Sequence, residues 1–451
     1  MANNLLTTSY ITNTGLLVLE NTLVFADGVE RQYSDEFAIK GAKIGATVNI
    51  RRPPRYLGTF GPALNVEDTN ETYIPVTLRN QFHVDVQFTT ADLLLSMDLF
   101  KTRVLKPMMA TVANRIDSDG LYLSYQQTAQ SVGTPGVSPS SWLTFANANA
   151  FLDAEACPSD EQRRCVLDPF SAASAADGIK GLFNPQAQIG DLVRRGFIAK
   201  QTAGLDWYRD QNVVSFTTSA GAAAPVLTAN TGGAFLTSGW AQSGFIQTGT
   251  WGASAAVLKV GDILQIAGVF PANPQSRTQY GNQLKQFVVL PPGGYLSNPA
   301  GAATPGLVFA PATLTSGTFN AATGVYTSTA GGALSILIGE CCITGGQFVN
   351  AVTTAAFTAT SAITVNGGQA NASKVSPQGI VHHKTAFALA FADLPLPHGV
   401  ESAARANDSD IGMSMRMVTA YTINNDAMPT RADVLYGWDG LYRNMAVRVA
   451  G

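Results

Sequence analysis

Charge is what this chain has least of. Asp, Glu, Lys and Arg make up 13% of its 451 residues, with a formal net charge of −3, where ordinary soluble domains carry ~25% charged residues. A surface so poor in charge points to contact with other protein. Arginine pairs at Arg51-Arg52, Arg163-Arg164 and Arg194-Arg195 build no tail or cluster, so the electrostatic footprint of phosphate binding is missing and sequence-specific DNA recognition is not expected. Long apolar runs are missing too. Leu16 to Leu19 is interrupted by Glu20 and Asn21, far short of the ~20 residues that span a bilayer, and no charged n-region or cleavage site marks a signal peptide. No membrane partner is expected.

Cysteine is scarce, and neither Cys157 with Cys165 nor the adjacent Cys341 and Cys342 has metal-ligand spacing. We read all four as free thiols of a chain made in a reducing cytoplasm. Asn70-Glu-Thr and Asn371-Ala-Ser fit the glycosylation pattern, but without a secretory signal they are chance matches. Phosphate loops, zinc-protease helices and the Gly-x-Ser-x-Gly elbow are missing. His382 and His383 would point to opposite faces of a strand and could not share a metal; His83 and His398 stand apart from them. Asp117 and Asp119 before Gly120 lack the other ligands of a calcium loop and read as charge at a helix end. Asp393, beside prolines, reads as a strand-end turn. No catalytic residue, metal site or cofactor is expected, and the chain is not read as an enzyme.

What is present is patterning. The length exceeds one compact core. Apolar residues Ile11, Leu16, Leu19 and Leu23 fall at helical intervals between Thr8 and Phe25, an arm with a loose continuation. From Tyr73 to Phe88 alternation is nearly unbroken: Val76, Leu78, Phe82, Val84, Val86 and Phe88 share one face, Thr77, Arg79, Gln81, His83, Asp85 and Gln87 the other. Ala46 to Tyr56 is a plausible partner strand, stopped by Pro53-Pro54. A two-stranded ribbon cannot stand alone in water, so it must lie on its own or a neighbouring subunit. Asp98 to Ile116 has the three- and four-residue spacing of an amphipathic helix, with Pro107 inside to bend it and a Met stripe as core filling.

Next, Ser140 or Ser141 could cap a helix from Trp142 to Ala154; Arg164 to Asp168 reads as a short buried strand, and Ala172 to Phe183 and Ile189 to Ile198 as helices. Between Phe216 and Ser373 the charged residues are Lys259, Asp262, Arg277, Lys285 and Glu340 alone. Gly, Ala, Ser and Thr dominate, with β-type runs at Val257 to Val269, Gln286 to Leu290, Gly324 to Thr329, Ala333 to Ile338 and Ala356 to Val365. This predicts an all-β domain inserted into a mixed host domain that resumes at Val381.

The closing stretch carries a family likeness. Tyr421-Thr-Ile-Asn-Asn-Asp426, Pro429-x-Arg431-x-Asp433-Val-Leu-Tyr-Gly-Trp438 and Ala446-Val-Arg-Val449 resemble the end of major coat proteins of short-tailed double-stranded DNA phages. His382 to Pro397, Gly412 to Val418 and the Val260 to Val269 element are similar to the same family. The resemblance implies an α+β chain with the tailed-phage major capsid fold: N-terminal arm, extended β-hairpin loop, long spine helix, peripheral and axial domains, and an inserted all-β domain. Its implied division is 1–45 arm, 46–88 extended loop, 89–139 spine helix and peripheral domain, 140–220 first part of the axial domain, 221–373 β-barrel-like insertion and 374–451 return to the axial and peripheral domains.

The implied function is self-assembly into hexamers and pentamers of an icosahedral virion shell around dsDNA, assembled in the host cytoplasm. A scaffolding protein and portal are implied partners, with a decoration protein possible and DNA in non-specific proximity. The family's insertion can carry a charged loop that pairs with a neighbour; the scarcity of charge puts that role in question here. As assembly-contact or fold-defining residues we single out Arg51, Arg52, Arg55, Arg79, Asp85, Arg431, Asp433, Trp438 and Arg448. Arg431 and Asp433 share a strand face and should pair with each other's neighbours. Because the chain begins at Met1, the arm is expected to remain unprocessed. The rival reading is a tail or adhesin protein binding host glycans through Trp240 and Trp251; as a hydrolase it would need paired carboxylates, where the β-rich segment has only Asp262 and Glu340.

Overall fold

Alternation over Tyr73 to Phe88 predicts one long strand, yet the backbone breaks at Leu78-Arg79 and the two halves take different partners. Thr72–Thr77 pairs with Thr47–Arg52, the expected ribbon. Asn80–Thr89 instead runs antiparallel to the first ten residues of Ala427–Gly440, from Ala427↔Thr89 to Tyr436↔Asn80. The faces are as read: Ile74, Val76 and Leu78 are buried, and Phe82, Val84 and Val86 are less exposed than the residues between them.

The structure is a computed structural model. It describes residues 8–451 apart from 21–22, 35–46, 53, 70, 90–103, 180–203, 221–224, 229–235, 238–242, 254, 293–315, 356, 359, 409–412 and 424–426. The chain divides into two compact units. The start of the helix expected over Asp98 to Ile116 and the helix expected over Ile189 to Ile198 lie outside the described residues.

The first unit comprises Met1–Arg51, Tyr73–Gly120 and Phe387–Leu441. Its main sheet has the order Glu30–Ser34, Phe387–Ala392, Ala427–Gly440, Met413–Thr419, Ser402–Asp408, with Asn80–Thr89 added to Ala427–Gly440. The arm helix, Thr8–Glu20, buries Leu16 and Leu19. The long helix is Lys106–Gln127, later than the spacing predicted. Pro107 is its second residue, and the helix directly follows π-helical backbone at Val104 and Leu105; the stretch before those lies outside the described residues. Leu105, Met108, Met109, Val112, Ala113 and Ile116 are buried, so the Met stripe is core.

Asp117 and Asp119 lie well inside that helix, a correction to the helix-end reading. Asp117 accepts the N–H groups of Val24 (2.8 Å) and Ala26 (2.9 Å), serving the short turn Ala26–Gly28. Asp119 accepts the Tyr436 hydroxyl at 2.7 Å and Asn80 Nδ2 at 3.2 Å. Both carboxylates are buried because each has backbone or side-chain donors in place of water.

The second unit comprises Arg52–Thr72, Leu121–Ala386 and Tyr442–Gly451. Its mixed sheet has the order Ser131–Gly133, Ala446–Ala450, Val375–His383, Arg163–Leu167, Asp206–Arg209, with Ser215–Thr217 on Val375–His383. Helix Trp142–Ala154 starts where expected, its Ser141 Oγ accepting the Leu143 N–H at 3.3 Å. It packs Phe145, Ala148 and Leu152 with Cys165, Trp207, Val381 and Val449. Arg163 is buried and spends its donors on Asp153 (2.7 Å), Asn149 (2.6 Å) and the carbonyls of Cys157 and Pro158. All four cysteines are buried free thiols.

The insertion is a closed barrel. Its sheet runs Ile363–Val365, Ile263–Ile266, Gln286–Leu290, Leu334–Gly339, Ser243–Gly249, Val226–Leu227. The two ends then meet: the Ile363 N–H donates to Pro225 O (2.8 Å), the Leu227 N–H to Ser361 O (3.0 Å), and Val226 bridges Ala362. Every second residue points inward, giving a core of Ile246, Leu264, Ile266, Phe287, Val289, Leu334, Ile336 and Ile338. Closure removes the exposed edges that a charge-poor sheet would otherwise present. Gln286 ties the barrel to its host, accepting the Ser131 N–H (2.6 Å) and donating to Ser131 O (3.1 Å).

Candidate functional site

The closing strand Ala427–Gly440 carries one buried ionic cluster of the first unit. Asp433 is fully buried, with Arg431 Nε 2.5 Å from its Oδ1 and Arg416 on its Oδ2 through Nε (3.2 Å) and Nη2. Arg431 and Asp433 thus pair directly, beyond the shared face that their spacing implies. Arg416, opposite Asp433 in register, was not singled out from sequence; its Nη1 also donates to Pro395 O at 2.5 Å. Across the strand pairing, Asp85 stands opposite Arg431 and His83 opposite Asp433, with His83 Nδ1 3.0 Å from Asp85 Oδ2.

A second buried ion pair sits nearby in sequence. Asp393 does follow a strand, but it is fully buried, with Oδ2 3.2 Å from Arg405 Nε and Oδ1 taken by the Ser414 hydroxyl. The turn reading missed this because sequence cannot show which cation covers a carboxylate. Trp438 is 2% exposed and stacks on Phe25 at 5.5 Å, which packs on Phe387 at 6.0 Å.

Arg448, in the second unit, is buried and donates through Nη1 to Tyr125 O at 3.0 Å. Burial lowers its pKa to about 10, so it remains a cation at neutral pH. Asp433, Trp438 and Arg448 are therefore interior in the single chain. His382 and His383 are buried too: His383 Nε2 lies 2.9 Å from Asp160 Oδ1, and burial pushes His382 down to about 4. Among the described residues, no group of three or more His, Cys, Asp or Glu could hold a metal ion.

The remaining candidates lie on or beside the extended loop. Arg51 is exposed and Arg55 half-buried. Arg52 lies 4.5 Å over the Tyr442 ring, and burial lowers its pKa. Arg79 donates through Nη2 to Thr77 Oγ1 at 3.4 Å. Between the hairpin strands, Phe60 is fully exposed and Leu64 and Val66 are 91% and 79% exposed. Phe60 and Leu64 are the most open large apolar side chains among the described residues, and Val66 stands close behind Ile423 and Phe170.

The sequence profile of the family described as P22 coat protein, gene protein 5, matches residues 1–304. The matched stretch holds the arm, the extended loop, the long helix and the first part of the barrel; it ends before the closing block. No curated protein matches the chain. Among solved structures the chain is similar to the capsid of cyanophage P-SCSP1u, at 9% identity over 95% of this chain and 88% of that one, TM-score 0.39. It is also similar to a structure of Mycobacterium phage Che8, at 11% identity over 95% and 90%, TM-score 0.40. A third is the mature capsid of bacteriophage PhiM1, at 9% identity over 95% and 86%, TM-score 0.38.

Proposed function

Because this chain belongs to the P22 coat protein family, we propose that it is a major capsid subunit that self-assembles as hexamers and pentamers into an icosahedral shell enclosing phage dsDNA. Its work is done by contacts and not by catalysis. Beside the family, the observation that carries the reading is the open apolar tip Phe60, Leu64 and Val66. Each such side chain gains ~1.5–3 kcal/mol when buried, and a second copy of the chain supplies the cover. Contacts of this size are weak singly and become cooperative in closed symmetry. The division into arm, extended loop, spine, peripheral, axial and inserted domains belongs to this reading.

A scaffolding protein and a portal follow from the family, with a decoration protein as an optional partner, and the packaged DNA is met without sequence preference. Assembly takes place in the host cytoplasm and the product is the virion shell. Arg51, Arg55, Arg79 and Asp85, on or near the surface, are the proposed contact residues; Arg52, Arg431, Asp433, Trp438 and Arg448 hold the subunit's own fold.

Electron microscopy of the purified protein tests the proposal: closed shells support it, and trimers or fibres refute it. A chain carrying Phe60→Ser, Leu64→Ser and Val66→Ser should stay folded and fail to close shells. Normal shells from that variant would remove the loop tip from the mechanism. Glycan binding is the weaker reading. Trp251 is buried, its Nε1 donating to Thr248 Oγ1 at 2.6 Å; Trp240 lies outside the described residues. Asp262 is also buried, accepting Lys259 N–H (2.7 Å), Ser219 N–H (3.2 Å) and Asn366 Nδ2 (2.7 Å).

A further inference from the structure

The inserted barrel has five charged side chains, and each is used within its own chain. Lys259 reaches Thr217 O, Asp262 binds the donors just named, and Lys285 lies 3.6 Å from Glu340 and donates to Asn350 O. The fifth, Arg277, reaches the extended loop: its Nη2 donates to Tyr56 O at 2.8 Å and to Leu57 O at 3.3 Å.

The same short segment of loop is gripped from its other side. The Glu67 carboxylate accepts the Leu57 N–H and the Gly58 N–H, each at 2.6 Å. Gly58 has φ +67°, which lets the chain turn into that carboxylate. Tyr56 Oη and Thr69 Oγ1 are 3.2 Å apart, and Gln347 of the barrel donates to Asp68 O at 3.2 Å. Consecutive peptides thus have their N–H groups on an anion and their carbonyls on a cation.

Arg277 is itself held in place at a conformational cost. Its φ is +57°, a region that non-glycine residues enter only where neighbours impose it. Asn273 does so: its Oδ1 accepts the N–H groups of Gln275 (2.8 Å) and Ser276 (3.0 Å), and its carbonyl accepts the Arg277 N–H at 2.8 Å. Asn273 Nδ2 in turn donates to Ala154 O at 2.7 Å, and Tyr280 Oη to the buried Glu155 at 2.6 Å. The turn that presents Arg277 is therefore pinned to the helix Trp142–Ala154.

We propose that the inserted barrel acts within its own subunit as a clamp on the base of the extended loop, setting the loop's posture before a second copy arrives. This inference rests on the reading that the loop tip docks on that copy. A barrel with no free charge to offer a neighbour, and with one arginine delivered to the loop, has this as its use.

Arg277→Gly isolates the effect, because glycine relieves the positive φ while removing the guanidinium. In the full-length unassembled chain, amide exchange at Leu57 and Gly58 and proteolysis within 57–66 should both rise on the order of 5–10-fold, the loss expected for one charge-assisted bond at an exposed site. Adding Gln347→Ala should raise them further, Arg277→Lys should give an intermediate value, and the barrel's melting should hold or improve. Assembly should slow several-fold. Unchanged exchange and cleavage in Arg277→Gly would overturn the clamp. If exchange rises and the serine-tipped loop still closes shells, the clamp stands and the docking reading falls; unchanged exchange with a serine-tipped loop that cannot assemble leaves docking and removes the clamp.

Discussion

Replacing Gly120 by alanine should destabilise this chain, although alanine is the better helix former by about 1 kcal/mol. Gly120 lies inside the helix Lys106–Gln127, so its place is not explained by a turn. A Cβ there would meet Trp438 Cζ2 at 2.6 Å and Cε2 and Cη2 at 2.8 Å, below any ordinary carbon contact. The indole has nowhere to withdraw, being 2% exposed and stacked on Phe25, which is backed by Phe387. Overpacking of a filled core costs ~1–3 kcal/mol, and a rigid ring puts this site at the upper end. After subtracting the propensity gain, a net loss of about 2 kcal/mol remains, or a fall in Tm on the order of 4–8 °C. Urea unfolding followed by circular dichroism measures it. Trimming the ring with Trp438→Leu in the alanine background should cost less than the two single losses combined, since the second change removes the clash made by the first. A Gly120→Ala chain as stable as the parent would refute the packing argument.

Asp433→Ala should cost ~3–5 kcal/mol, because Arg416 and Arg431 lose the carboxylate between them; normal soluble yield together with normal shells would sink its assigned role. His382 sets an acid limit. Its folded pKa of about 4 lies below the ordinary 6.5, so the neutral ring's contribution is complete above pH 6.5 and is lost as pH falls through 4, about 3 kcal/mol at full protonation. Thermal melts of His382→Gln should therefore fall less steeply than the parent's between pH 7 and 4. Parallel curves would show that the ring accepts its proton without cost.

Local signals were readable and long-range partners were not. Ser141 before Trp142, and the strand Gln286–Leu290, follow from capping and from composition within a few residues. Alternation named the faces of Asn80–Thr89 but not its partner, which comes from the far end of the chain. Asp117 and Gly120 resembled a helix terminus; one caps a distant turn and the other makes room for an indole, and neither task leaves a local mark. Arg431 with Asp433 was visible as a shared face, whereas Arg416 needed the fold to bring it opposite. The family likeness was read from the closing block, while the matched residues are 1–304. Both readings name a coat protein, from different parts of the chain. Arg277 had one signal, the single arginine in a nearly uncharged tract.

The bond pair between Gln286 and Ser131 has a consequence for when subunits may meet. Ser131–Gly133 is an outer strand of its sheet, and an outer strand invites pairing with any extended segment that drifts past. The carboxamide occupies both the N–H and the C=O that Ser131 turns outward, reproducing with a side chain the two bonds a visiting strand would make. That rim is spent inside the monomer. A chain proposed to associate in one specific way has reason to stopper a sticky margin, and a single glutamine from the barrel is the stopper.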